Sequence, residues 1–275
     1  MQSLFQFLND KRSYRHKVDD LEIIETHISI VAITSLFVYK FKKPVNFGWV
    51  DFSTIEKRKF FCEREVELNR RLCDNIYVGV QPLYNQEGRL NFEEGEIVDY
   101  CVLMNRIPGR LFLTRYFVDK FANQQLEIKT GPDFPYKAIV DRLVLFYKEA
   151  TPLLIEPETY FNSVKQSTIQ NLPPFVKYDA NISTETLSLL SFFFELCFEK
   201  FYNLLIQRLT EGKVVDCHGD LHLEHIVLQA TDNGSVCFYD CIEFNDSFRQ
   251  IDIACDVAFL CMDLDFRGYR TVSSN

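Results

Sequence analysis

Residues 214–228 read VVDCHGDLHLEHIVL, and the fold turns on what this stretch is. Three of the chain's five histidines, His218, His222 and His225, stand within eight residues, together with Asp220 and Glu224. A metal site, a catalytic loop and a polar turn between strands all draw on such residues. "KVVD" has the β-branched character of a short strand, "CHGD" suits a loop, and "HIVLQA" reads as a second strand. H-x3-H-x2-H offers zinc the right ligand types. Gly219 and the strand that follows keep the three rings off a common helix face, so the context a dedicated zinc site needs is missing. Further on, "TDNG" is a hairpin turn signal and "SVCFYD" the returning strand. Two neighbouring strand–loop units thus each end in an acid, Asp220 and, twenty residues later, Asp240.

Phosphoryl transfer needs a carboxylate to orient the attacking hydroxyl, oxygen ligands for magnesium, and a lysine for the phosphates. Kinase-like enzymes take the first two from H-x-D-x4-N followed by a strand that ends in aspartate. His218, Asp220 and His225 fall in that frame, with histidine in place of asparagine, and Asp240 stands at the metal position. The segments HGDLHLEHIVL, VCFYDCIEFND and DIACDVAFLCMDLD, with ETHISIVAI, VYKFKKPVNFGWVDFSTIEKR and CEREVELNRRL upstream, carry a wider likeness. Over roughly residues 20–265 the chain resembles the aminoglycoside-phosphotransferase-like family of small-molecule kinases. Within it the chain is most similar to a bacterial branch, some of whose members are fused to a P-loop kinase-like domain.

The resemblance implies a two-lobed, protein-kinase-like α+β fold. Residues 1–106 would form a small lobe, an antiparallel sheet with one helix that binds nucleotide, and 107–275 a large, mainly helical lobe carrying the catalytic and metal loops. It implies ATP with Mg2+ (Mn2+ also suits), and transfer of the γ-phosphoryl group to a hydroxyl of a small polar molecule. Asp220 would orient that hydroxyl and accept its proton, with His218 bracing the catalytic loop. Asp240 would hold the metal, and His225 would either bind metal or contact phosphate. Lys40 would hold the phosphates, and Met104 and Arg106 would lie at the hinge beside the adenine. Association with a P-loop kinase-like domain is a further expectation of the same kind.

Helix geometry bears on one of these roles. "STIE" matches a capping box at Ser53 and Glu56, opening a helix to about Leu72. On it Phe61, Glu65, Leu68 and Leu72 share one face, so Glu65 sits in an apolar row, where a carboxylate wants a cation. Lys40, at the end of "FVYK", supplies one. The plainer reading makes Lys40, Lys42 and Lys43 a solvated strand edge. Residues 23–43 read as a β-hairpin about the glycine-free turn "TSL", and "IYVGVQPLY" and "GEIVDYCVLMNRIP" as strands joined by a polar turn. Helices are expected over 138–150, over 187–209 with Gly212 closing it, and over "FRQIDIACDVAFLCMDLDF". On the last, Asp252 and Asp256 either brace the loop or face solvent, and Glu243 backs the metal or is a surface acid.

Composition narrows the rest. Apolar residues make up 47% and charged residues 25%, an ordinary globular balance. A net charge of −9 argues against a nucleic-acid partner, and no stretch suits a membrane span. Nine cysteines without a C-x-x-C pair fit unpaired thiols in a reducing, cytoplasmic setting. Three departures separate the chain from its resemblance. The small-lobe turn lacks glycine. His225 offers nitrogen where magnesium prefers oxygen. Only 35 residues follow Asp240, so the large lobe is expected to be C-terminally shortened. Two other functions stay open beside the kinase: a catalytically inert kinase-like binding or regulatory module, and a metal-dependent hydrolase built on the histidine cluster.

Overall fold

A computed structural model describes residues 3–73, 75–115, 136–170, 172, 183–228 and 236–274. The small lobe is a six-stranded antiparallel sheet in the order β1-β2-β3-β6-β4-β5. Its strands are β1 Leu21–Glu25, β2 Ser29–Thr34, β3 Phe37–Lys42, β4 Tyr77–Gln86, β5 Arg89–Asn91 and β6 Glu96–Asn105. The stretch expected to be one hairpin is therefore three strands. Thr26 breaks the first run: its hydroxyl accepts the Ser29 N–H at 2.9 Å, and its own N–H donates to the Ser29 carbonyl at 2.9 Å. Thr34 closes the second turn in the same way, accepting the Phe37 N–H at 3.1 Å. Threonine side chains do here what glycine does elsewhere, because a hydroxyl can pair with backbone two or three residues away. The polar link after β4, expected as a turn, also holds a short strand, β5.

β3 alternates as a half-buried strand must. Tyr39 and Phe41 face outward and are covered by Phe7, Leu8 and Tyr14 from the N-terminal segment, whose helix α1 spans Leu4–Asn9. Lys40 and Lys42 take the inner face, toward helix α2, Ile55–Arg70. Its N-cap is Thr54, which accepts the Lys57 N–H, and not Ser53. Ser53 instead gives both its N–H and its hydroxyl to Asp51, so the capping role moves one residue on.

The large lobe contains α3 Tyr136–Glu149, α4 Pro157–Ile169, α5 Thr184–Thr210 and α6 Ile253–Phe266. α4 was not anticipated; proline at its first turn is its sequence mark. Two strand pairs complete the lobe: β7 Val214–Asp216 with β10 Gln250–Asp252, and β8 Ile226–Leu228 with β9 Val236–Phe238. The final helix is thus shorter than expected, since Gln250 to Asp252 pair with β7 and Asp252 caps α6 by accepting the Ala254 N–H. The "TDNG" turn lies outside the described residues. With β6 running into the large lobe and a cleft between the two parts, this is a two-lobed, kinase-like α+β fold.

Cys73, just past α2, and Cys237 in β9 form a disulfide with Cα atoms 5.1 Å apart, which corrects the expectation of unpaired thiols. A separation of 164 residues leaves no spacing signal, because only tertiary packing brings the two together. The remaining seven cysteines are free. Among the described residues, no helix is long and apolar enough to cross a membrane.

Candidate active site

The loop between β7 and β8 is held from three sides. Gly219 adopts φ +85°, and a Cβ there would stand 2.8 Å from the Phe248 carbonyl oxygen and 3.0 Å from Arg249 Cγ. Only glycine meets both demands. Gly219→Ala is expected to cost about 1–3 kcal/mol, read as a lower urea midpoint at unchanged slope. Asp256, buried at the start of α6, accepts the His218 N–H at 3.0 Å and the Gly219 N–H at 2.9 Å, and the Tyr147 hydroxyl donates to it at 2.8 Å. His218 is the third support. Its Nδ1 accepts the Asp220 N–H at 3.2 Å, so Nε2 carries the ring proton and donates to the Tyr239 carbonyl at 3.0 Å. Burial brings this imidazole down to about 4, which keeps it neutral in that double role.

So supported, Asp220 presents a partly exposed carboxylate. Burial pushes its pKa up, but His222, His225 and His218 together pull it below the ordinary aspartate value. It is therefore ionised at neutral pH. His222 lies over the His225 ring, centroids 3.8 Å apart, with its Nε2 3.6 Å from Asp220 Oδ2. Burial lowers the His222 pKa and Asp220 more than offsets this, leaving it raised.

His225 stands between the two aspartates. Its Nδ1 is 2.9 Å from the Asp220 carbonyl oxygen, which can only accept, so Nδ1 carries a proton. That leaves Nε2 as the open position, 3.7 Å from Asp240 Oδ2. Asp220, His222 and His225 place potential ligand atoms within 4.8 Å of one another, and with Nδ1 protonated, Nε2 is the atom His225 has to offer. A divalent cation could also be held between His225 Nε2 and Asp240 Oδ2, two atoms that face each other beyond hydrogen-bond range. A mixed nitrogen and oxygen pair of this kind accepts Mn2+ at least as readily as Mg2+.

Asp240 follows β9 with φ +61°, a left-handed conformation for a residue with a Cβ. Its N–H donates to the Tyr77 hydroxyl at 3.1 Å, and the next N–H, of Cys241, donates to Asn69 Oδ1 at 2.8 Å. These bonds hold a backbone shape that costs energy and that commonly marks a working site. Lys40 Nζ is 2.5 Å from Asp240 Oδ1 and 2.9 Å from Glu65 Oε1. Burial pushes the Asp240 carboxyl up, but Lys40, then His225, pull it well below the usual range. Burial likewise works against the Lys40 charge, and Asp240 and Glu65 overcome it, raising the amine.

Lys40, Tyr77, Asp220 and Asp240 line a cleft of about 750 Å3 between the lobes. Lys40, Asp220 and Asp240 lie on its polar side, and Val31, Val38 and Met104 on its apolar side. Arg106 reaches the cleft as well, but its guanidinium donates to the Thr34 carbonyl at 3.1 Å and its N–H to the Leu36 carbonyl at 2.9 Å. The "TSL" turn is therefore tied to the hinge. The turn over the cleft is Thr26–Ile28, also without glycine. A second hollow of about 410 Å3 lies on the other side of Asp220, lined by His222, Phe259, Met262 and Arg267.

Four supporting groups escaped the sequence reading. Lys42 is fully buried, not a strand-edge lysine. Its signal was present, since a residue two after Lys40 shares its face. Asn69, four after Glu65, was legible in the same way. Tyr77 had no local signal. Nor did Arg249, a buried guanidinium that binds Asp216 at 2.7 Å, Asp246 at 2.6 Å and the Ile242 carbonyl at 2.6 Å.

No family model matches the chain. It is 29% identical over 267 residues to uncharacterised proteins of Mycobacterium tuberculosis and Mycobacterium bovis, covering 95% of this chain and 50% of each relative. The chain thus spans about half the length of the curated relatives it matches. Among solved structures it is similar to an aminoglycoside phosphotransferase from Streptomyces rimosus, at 14% identity and a TM-score of 0.46, over 92% of this chain and 83% of that one. It is similar to an ethanolamine kinase of Plasmodium vivax at 12% identity and a TM-score of 0.39, over 95% and 66%. A spectinomycin phosphotransferase solved with ADP and spectinomycin is similar at 13% identity and a TM-score of 0.33, over 96% and 84%. The second of these structures is a kinase and the other two are phosphotransferases, all at low sequence identity.

Proposed function

We propose that this chain is an ATP-dependent phosphotransferase that moves the γ-phosphoryl group to a hydroxyl of a small polar molecule. One observation carries the reading: Asp220 borders both hollows, while Lys40 and Asp240 line the larger one and neither lines the smaller. Nucleotide in the larger cleft would set its adenine against Val38 and Met104 and its phosphates toward Lys40. The acceptor would approach Asp220 from the side of His222 and Phe259. A divalent cation, held by Asp240 and His225, would supply charge neutralisation on the phosphates.

In the transfer, the acceptor oxygen bonds to the γ-phosphorus as the bond from that phosphorus to the β–γ bridging oxygen breaks, and ADP departs. Asp220 orients the hydroxyl and takes its proton. Lys40, kept in place by Glu65, faces the negative charge on the phosphates. His218 holds Asp220 in line without touching substrate.

Thermal unfolding with nucleotide tests this. ADP at a hundredfold excess over its dissociation constant is expected to stabilise the wild type by about 2.7 kcal/mol with Mg2+ or Mn2+. Asp240→Asn should lose the metal-dependent part of that gain. No stabilisation with either metal would favour an inert kinase-like module instead.

A further inference from the structure

Lys42 has no part in the mechanism above. Its ammonium is sealed from solvent, with side-chain exposure of 0%, and lies 4.9 Å from the centre of the Phe52 ring. A lysine so placed is costly unless it is fully paired. Lys42 is paired twice, with Glu65 Oε2 at 2.6 Å and with a carboxylate oxygen of Glu243. Glu65 belongs to the small lobe, 23 residues away, and Glu243 to the large lobe, 201 residues away. Glu243 lies three residues beyond Asp240, on the loop whose left-handed turn Tyr77 and Asn69 also hold. The charges alternate along one line: Asp240, Lys40, Glu65, Lys42, Glu243.

We propose that Lys42 is a positioning residue that fixes helix α2 and the Asp240 loop against each other, so that the metal–nucleotide site is assembled before any ligand arrives. It rests on the phosphotransferase reading for what the site binds. The physical reason is local. Without Lys42, Glu65 keeps only Lys40 as a cation and draws it off Asp240. Glu243, buried at the wall of the cleft and without its nearest cation, turns toward water and takes its loop with it. Moving α2 outward would strand a buried lysine and a buried glutamate at once, so the assembled arrangement is the stable one.

The test uses the full chain, Lys42→Met, the double variant Lys42→Met/Glu243→Leu, and the milder Glu243→Gln, which keeps an oxygen facing Lys42. Lys42→Met should unfold at a lower temperature. The double variant should recover much of that loss, since an apolar pair replaces a broken ionic one. Its affinity for a fluorescent ADP analogue with Mn2+ should still be weaker than wild type by about tenfold, while metal-free ADP affinity changes by less than about threefold. Glu243→Gln should weaken Mn2+-dependent binding in the same direction by roughly threefold. A double variant that regains stability and binds the Mn2+ complex as wild type does would make Lys42 merely structural and overturn the proposal. If the wild type binds no nucleotide, the phosphotransferase reading fails by itself. Positioning is then judged by amide exchange at Asp240 and Cys241, which should quicken by about tenfold in the double variant. Unchanged exchange there overturns it.

Discussion

Asp220→Asn is expected to lower ATP-dependent phosphorylation of an acceptor, found by screening polar alcohols and sugars for ATP consumption, by roughly 10²–10⁴-fold. Nucleotide affinity should stay near the wild-type value, because Lys40 and Asp240 are untouched. The asparagine fits the same space, and its backbone N–H still donates to His218 Nδ1, so the loop keeps its shape. What it loses is the capacity to take a proton. In the native protein that capacity belongs to an ionised carboxylate, whose pKa burial raises and the neighbouring His222 and His225 bring back below the ordinary aspartate value. Full activity in Asp220→Asn would remove this residue from the chemistry.

Much of the candidate site's geometry could be read from the sequence because its members sit at ends of local patterns. Asp220 and Asp240 each close a strand–loop unit, and Glu65 interrupts an apolar helix face. What escaped was tertiary. Arg249 gathers Asp216, Asp246 and a carbonyl into one buried knot, and no local periodicity announces which carboxylates a distant arginine will find. The plainer alternative for Lys42, a solvated strand edge, rests on runs of lysine usually being surface. The alternation of β3, with Tyr39 and Phe41 outward, already required Lys40 and Lys42 to point inward together. The misplaced hairpin has a similar cause. "IETHISIVAI" has unbroken strand propensity, and the turn at Thr26 depends on a hydroxyl capturing a backbone N–H, which propensity does not register. A disulfide between Cys73 and Cys237 is likewise a product of packing, since it joins the end of α2 to a strand of the other lobe.

Asp256→Leu is expected to be the most destabilising of the changes near the loop. The carboxylate satisfies the His218 and Gly219 N–H groups and the Tyr147 hydroxyl, all from a position that is 1% exposed. Leucine is close in size but leaves those donors without acceptors, at about 1–3 kcal/mol for each buried one. The melting temperature should fall by roughly 5–15 °C, taking a few degrees per kcal/mol for a chain of this length. Asp256→Asn should lie between, because its one remaining oxygen can serve one N–H while its amide nitrogen meets the other, donor against donor. Tyr147→Phe removes a single hydroxyl and should cost only about 1 kcal/mol. The order Leu, Asn, then Tyr147→Phe is itself the check, measured by calorimetry on the full chain. It follows only if Asp256 acts as an acceptor for the loop, whereas a residue that merely filled space would tolerate leucine best.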